Sequence, residues 1–238
     1  KIGSVPYIEM TATLMEQFGV KPEINLAEQT IHIAPAAYKT SHVVVEADWS
    51  AISYWYGFTA LAQVAEITLP NVSSQSLQGD RVIATIMEKL GVRSAFNNNQ
   101  LILTKQESAA HLVWDFKDCP DLAQTVVPVC AVKGITGEFT GLESLRIKET
   151  DRIAALQNEI AKVGATLTEP STGKWILAPG KIPTSEITID TYHDHRMAMG
   201  FAPWATLINL KINNPSVVNK SYPGFWDDVI SVGIKVES

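Results

Sequence analysis

The stretch Ile153-Ala154-Ala155-Leu156-Gln157-Asn158-Glu159-Ile160-Ala161-Lys162-Val163-Gly164-Ala165 decides the fold. Ile153, Leu156, Ile160 and Val163 recur at helical spacing on one stripe, which predicts an amphipathic helix. Gly164 stands where a left-handed C-terminal cap is wanted. The same ending occurs twice more, as Phe18-Gly19-Val20 and Leu90-Gly91-Val92, and Ile83, Ile86 and Leu90 form the stripe of the middle copy. Gly91 follows Gly19 by 72 residues, and Gly164 follows Gly91 by 73. A second marker keeps this period: Asp48, Asp121 and Asp194 are each 73 residues apart. Two independent markers with one period imply a duplicated supersecondary unit.

Each copy has the same grammar. After the Asp comes a run almost free of charge, at 49–65, 122–132 and 197–210. These runs predict helices buried on all sides. Short strands follow at 66–69, 137–140 and 210–212, then a polar loop, then the amphipathic helix. Two strands close the unit, for example 100–104 and 111–115, with Asn97-Asn98-Asn99 as a turn signal before the first of them. The predicted unit is helix, strand, helix, two strands. Residues 1–46 then hold only the second helix and hairpin of one unit, and residues 194–238 only the opening of another. A chain of this pattern is expected either to be part of a longer protein or to pack its ends in an unusual way. Residues 1–46 should pack on the remainder, pair with another copy, or fray.

Composition narrows the function. The formal charge is -6, which argues against a nucleic-acid binder that relies on a basic footprint. Two cysteines, Cys119 and Cys130, exclude a disulfide scaffold, and no spacing suggests a zinc site. The longest uncharged run, 49–65, is short and polar for a membrane span. The expectation is a soluble, cytoplasmic protein without metal or cofactor.

Chemistry should sit where the copies differ. Asp48 and Asp194 read as helix caps, and Asp121-Leu122-Ala123-Gln124 fits a capping box. Pseudo-symmetry would nevertheless gather three buried helix N-termini at one end, and such termini attract anions. The loop Arg146-Ile147-Lys148-Glu149-Thr150-Asp151-Arg152 holds three of only 19 Lys and Arg residues. Cations at a helix start oppose the macrodipole, so a bound anion explains them better than surface filling. Arg196, on the first turn of a buried helix in His193-Asp194-His195-Arg196, points to anion binding rather than to a metal.

The loop at 146–152 and Asp194-His195-Arg196-Met197-Ala198-Met199 resemble the two signature motifs of the 5-enolpyruvylshikimate-3-phosphate synthase family. Ser4-Val5-Pro6-Tyr7, Gln78-Gly79-Asp80 and Lys220-Ser221-Tyr222-Pro223-Gly224-Phe225 agree in the same order. The resemblance implies an inverse α/β barrel of two lobes with helices buried inside. Residues 1–46 would be the tail of the first lobe, and residues 47–238 the second lobe. It implies transfer of an enolpyruvyl group from phosphoenolpyruvate to the 5-hydroxyl of shikimate 3-phosphate, with release of phosphate. Carried over by position, Asp121 is the candidate base, Glu149 the candidate acid, and Lys148 a neighbour of the reacting hydroxyl. Arg152, Arg196 and Lys220 resemble the phosphoenolpyruvate clamp. Ser4, Tyr7, Asp121 and Lys148 resemble contacts to shikimate 3-phosphate. Most of the first lobe is missing, so this portion is expected to be inactive alone and to self-associate. Ala47 and Trp49 depart from the family pattern and imply local repacking, and Ser144 replaces an Asn of some members. Two other readings compete: a non-catalytic remnant that binds an anion or a partner, and the related UDP-N-acetylglucosamine enolpyruvyl transferase.

Overall fold

The computed structural model describes residues 2–237. The chain opens with α1 (Val5–Gln17), followed by an antiparallel hairpin of β1 (Glu23–Asn25) and β2 (Thr30–His32). No residue of α1 is buried. Its first turn is tied to the rest of the chain: the Ser4 amide donates to the Lys117 carbonyl at 3.2 Å, and the Val5 amide donates to Asp118 at 3.3 Å. Of the three fates expected for this segment, docking on the remainder is the one seen for α1. Its apolar side, with β1 and β2, borders a groove of about 320 Å³ lined by Tyr7, Met15, Ile24, Ile31 and Ile33.

α2 (Trp49–Leu61) is buried almost all round, because its run of aromatic and aliphatic residues leaves no polar face for water. It packs on the sheet formed by β3 (Glu66–Pro70), β4 (Val92–Asn97) and β5 (Gln100–Lys105), joined in the order β3-β5-β4. Between β3 and β4 runs the short amphipathic α3 (Ile83–Lys89). Asn98 and Asn99 both have positive φ, as a two-residue type I′ hairpin turn requires. Gly19, Gly91 and Gly164 cap their helices at φ of +84°, +95° and +75°. This conformational demand explains why glycine recurs at the repeat's period.

The next unit contains β6 (His111–Asp115), α4 (Ala123–Lys133), β7 (Thr136–Thr140), α5 (Arg152–Ala161), β8 (Thr166–Ser171) and β9 (Lys174–Ala178). Its sheet order is β6-β7-β9-β8, with β6 parallel to β7 and the other pairs antiparallel. This corrects the predicted unit. The strand at 111–115 does not close the preceding hairpin but opens the next sheet, so three strands follow α3. The unit runs strand, helix, strand, helix, hairpin, and 111–178 holds one in full. The last partial copy pairs β10 (Ile187–Ile189) in parallel with β11 (Leu210–Ile212), across α6 (His195–Phe201), and ends in α7 (Phe225–Ser231).

α6 is much shorter than the helix predicted over 197–210. Its α-helical hydrogen bonding stops at Phe201 and a 3-10 turn continues through Ala202–Thr206. Pro203 has no amide hydrogen for an α-helical bond, which accounts for the change. At the centre, α2, α4 and α6 pack on one another. α6 lies tight against α4 at Gly200, where an added Cβ would lie 2.1 Å from the Gln124 carbonyl oxygen. The mixed α/β architecture with buried helices is therefore the expected one, and the starts of all three central helices come to one end.

Candidate active site

Each starting turn contributes a different group to that end. Asp48 and Asp194 are caps, accepting from the amides of Ser50 at 2.9 Å and Arg196 at 2.8 Å. Asp121 departs from the predicted capping box. A 3-10 turn, Pro120–Leu122, precedes α4, and no side chain caps that helix. The Asp121 carboxylate instead faces three cations: Arg152 at 2.8 Å, Arg196 at 3.2 Å and Lys148 at 3.3 Å.

Arg152 is the hub. It opens α5, which Asp151 caps through the Ala154 amide, and its side chain is 2% exposed. A charge so buried requires partners. Its guanidinium donates to Asp194 at 2.6 Å, to Asp121 at 2.8 Å and to Glu149 at 2.8 Å. Lys220, on the rim, reaches the other oxygen of Glu149 at 3.1 Å. Arg196 donates to the Ser50 hydroxyl at 3.2 Å, and Ser50 donates to the buried Asp80 at 2.5 Å. The second guanidinium nitrogen of Arg196 is buried with no hydrogen-bond partner among the described residues. Arg196, Ser50, Tyr54, His195 and Tyr222 border a small adjacent cavity of about 60 Å³.

These contacts set the protonation states. Burial pushes the Asp121 carboxyl up, but Arg196, Arg152 and Lys148 outweigh it and hold it below the usual carboxylate range. Glu149 feels the same opposition, and its own backbone amide, Lys220 and Arg152 bring it down to about 2. Asp80 goes the other way, because burial outweighs its bond from Ser50 and the charge of Arg196. Burial and then the charge of Arg196 depress His195, favouring neutral imidazole. At rest the four cations are thus held by carboxylates of the chain itself.

The structure brings together Asp121, Lys148, Glu149, Arg152, Arg196 and Lys220. Tyr7 reaches the margin: burial first, then the charge of Asp80, push its phenol well above its ordinary pKa. Ser4 has a left-handed backbone at the start of α1, and its side chain makes no cap bond. Arg146 turns away from the others, pairing with Glu169 at 2.9 Å and lying over the Trp175 ring. Only two of that loop's three cations therefore join the cluster. Near Ala47, Trp49 is fully buried beside Phe96, and Gln78 bridges the Ala47 carbonyl and the Trp49 amide. Sequence reading leaves out Asp80 and Ser50 as contacts, and sees Asp194 only as a cap and motif residue.

Comparison with solved structures identifies the architecture as that of enolpyruvyl transferases. An EPSP synthase from Acinetobacter baumannii superposes with a TM-score of 0.74 at 18% identity, over 94% of this chain and 54% of that one. The enolpyruvyl transferase NikO from Streptomyces tendae gives 0.66 at 14% identity, over 98% and 54%. A family model described as EPSP synthase (3-phosphoshikimate 1-carboxyvinyltransferase) matches residues 1–229. The chain belongs to the EPSP synthase family. It is 41% identical to a 3-phosphoshikimate 1-carboxyvinyltransferase of Bacteroides fragilis, over 100% of this chain and 58% of that protein. A Neisseria meningitidis protein of the same name is 35% identical, over 94% and 52%. The chain thus spans little more than half the length of these relatives.

Proposed function

We propose that this chain supplies the second-lobe half of a site that transfers the enolpyruvyl group of phosphoenolpyruvate to the 5-hydroxyl of shikimate 3-phosphate. The observation that carries the reading is the linked set of Lys148, Arg152, Arg196 and Lys220 around Asp121, Glu149 and Asp194, at the starts of three buried helices. Both substrates are polyanions. Arg152, Arg196 and Lys220 receive the carboxylate and phosphate of phosphoenolpyruvate, displacing Asp121 and Glu149 from them while Arg152 keeps its bond to the buried Asp194. The planar fork of Arg suits a carboxylate, and Lys serves as a point charge.

That exchange also arms the acid. Lys220 and Arg152 help to hold Glu149 near 2. When they turn to the ligand, the Glu149 pKa rises toward the range of a useful proton donor. Glu149 then protonates the methylene carbon of the enolpyruvyl group. The substrate 5-oxygen bonds to the adjacent carbon and gives up its proton toward Asp121, with Lys148 beside it. In the resulting tetrahedral adduct the carbon–oxygen bond to phosphate breaks as the methyl group returns a proton to Glu149, which restores the double bond. Tyr7 and Ser4 contribute from the first-lobe side. Residues 1–46 are read as the tail of that lobe and 47–238 as the second. The reading includes a cytoplasmic location, where the buried thiols Cys119 and Cys130 stay reduced; among the described residues no helix is long and apolar enough to cross a membrane.

The test is phosphate release from phosphoenolpyruvate plus shikimate 3-phosphate, with the chain alone and with the first-lobe portion of a relative added in excess. Release only on mixing supports a divided site. Full turnover by the chain alone overturns the two-lobe account. No release after mixing, together with no binding of either substrate, overturns the activity.

A further inference from the structure

The segment presenting Asp194 and Arg196 to the site is backbone-strained. Thr191, Tyr192, His193 and Asp194 form a four-residue turn in which the Asp194 amide donates to the Thr191 carbonyl at 2.8 Å. Tyr192 and His193 both have positive φ, +52° and +57°. This is the type I′ geometry for which Asn-Gly is the favoured pair. A Tyr-His pair there persists only when its surroundings impose it.

One side chain stands out as the restraint. Glu159 lies seven residues after Arg152, so α5 points both toward the same neighbouring segment. Both side chains are buried, Glu159 completely. Arg152 grips Asp194, at one end of the turn. Glu159 accepts from the Tyr192 hydroxyl at 2.8 Å and from the Asp190 amide at 3.1 Å. Lys162 neutralises Glu159 at 2.6 Å and donates to the Thr188 carbonyl at 2.8 Å, tying the same carboxylate to β10.

We infer that Glu159 is a positioning residue: it holds Tyr192 in the strained turn and thereby fixes Asp194 and Arg196 for the anion. The inference rests on the reading of Arg152 and Arg196 as ligand-binding groups, and it deepens that reading. Glu159 touches no substrate; it acts through the turn.

The experiment is amide hydrogen exchange by NMR in two backgrounds, the natural Tyr-His turn and a Tyr192→Asn, His193→Gly turn that holds itself. In the natural background, Glu159→Gln is expected to speed exchange of the Asp194 and Arg196 amides by about tenfold or more relative to the α4 amides. In the Asn-Gly background the same substitution should change them by less than about threefold, because the turn no longer depends on the brace. Tyr192→Phe, which deletes only the hydroxyl, should reproduce the effect and covers the case in which Glu159→Gln does not fold. An equal acceleration of all core amides overturns the inference, as does the same acceleration in both backgrounds. Phosphoenolpyruvate titrated into each variant separates the two readings. Absence of binding by the natural chain with the first-lobe portion of a relative added counts against the proposed function, whereas the exchange pattern alone decides the role of Glu159.

Discussion

Replacing Arg152 by Met tests whether the charge cluster also holds the fold together. The side chain is of similar reach, but it removes every bond to Asp121, Glu149 and Asp194. The loss falls unequally. Asp121 keeps Lys148 and Arg196, and Glu149 keeps Lys220. Asp194, with no exposed side-chain surface, keeps only the Arg196 amide at hydrogen-bonding distance. Removing one partner of a buried pair costs about 3–5 kcal/mol, because an uncompensated charge stays behind. With a urea slope of roughly 2–3 kcal/mol per molar for a domain of this size, the unfolding midpoint should fall by about 1–2.5 M. Adding Asp194→Asn removes the stranded charge while keeping a good helix cap, so the double variant should be more stable than Arg152→Met alone. A loss below about 1 kcal/mol for Arg152→Met, or a double variant that loses the sum of both singles, refutes the reasoning.

Three further outcomes are expected. Gly200→Ala should cost at least about 1–3 kcal/mol in thermal unfolding, since the new methyl group meets the Gln124 carbonyl and α6 must move off α4. Lys220→Ala should change stability by less than about 1 kcal/mol because the pair is on the rim, yet carboxyl NMR should find the Glu149 pKa raised from about 2. Glu149 and Asp121 are both held low in the folded chain, so the unfolded chain binds more protons in acid. Their contribution is present above the ordinary carboxylate range and is lost as the pH falls through about 4 toward 2; urea midpoints measured over that window should fall less steeply for Glu149→Gln.

Much of the architecture was legible because its demands are local. A glycine at positive φ and an aspartate at a helix start are required by a few neighbouring atoms, so Gly19, Gly91, Gly164, Asp48 and Asp194 marked the repeat. The partner of β6 was not legible: alternation within 111–115 says which face is buried, not which sheet the strand joins. The length of α6 was overestimated because apolar composition runs past Pro203 whether the backbone is α-helical or 3-10. In the site, the clustered cations were readable from motif and loop, but Arg146 and Lys148 look alike until the loop is folded. Asp194 as a partner of Arg152 was hidden, since a capping Asp looks the same whatever its second oxygen does. One signal was available: Arg152 and Glu159 interrupt the apolar stripe of Leu156, Ile160 and Val163, and charges on a buried face must find counter-charges.

The parallel pairing of β6 with β7 constrains how the chain reaches this structure. Two parallel neighbours can be joined only by a crossover, and here the crossover is α4, itself a central buried helix. The sheet therefore cannot be completed first and covered later by a helix arriving from solvent. Strand registry at Val113 and Glu138 spans the connection that carries α4, so pairing them is expected to bring that helix out of water. Hydrogen-bond pairing and dehydration of α4 become a single event, so this unit should fold with one barrier and without a populated bare-sheet stage.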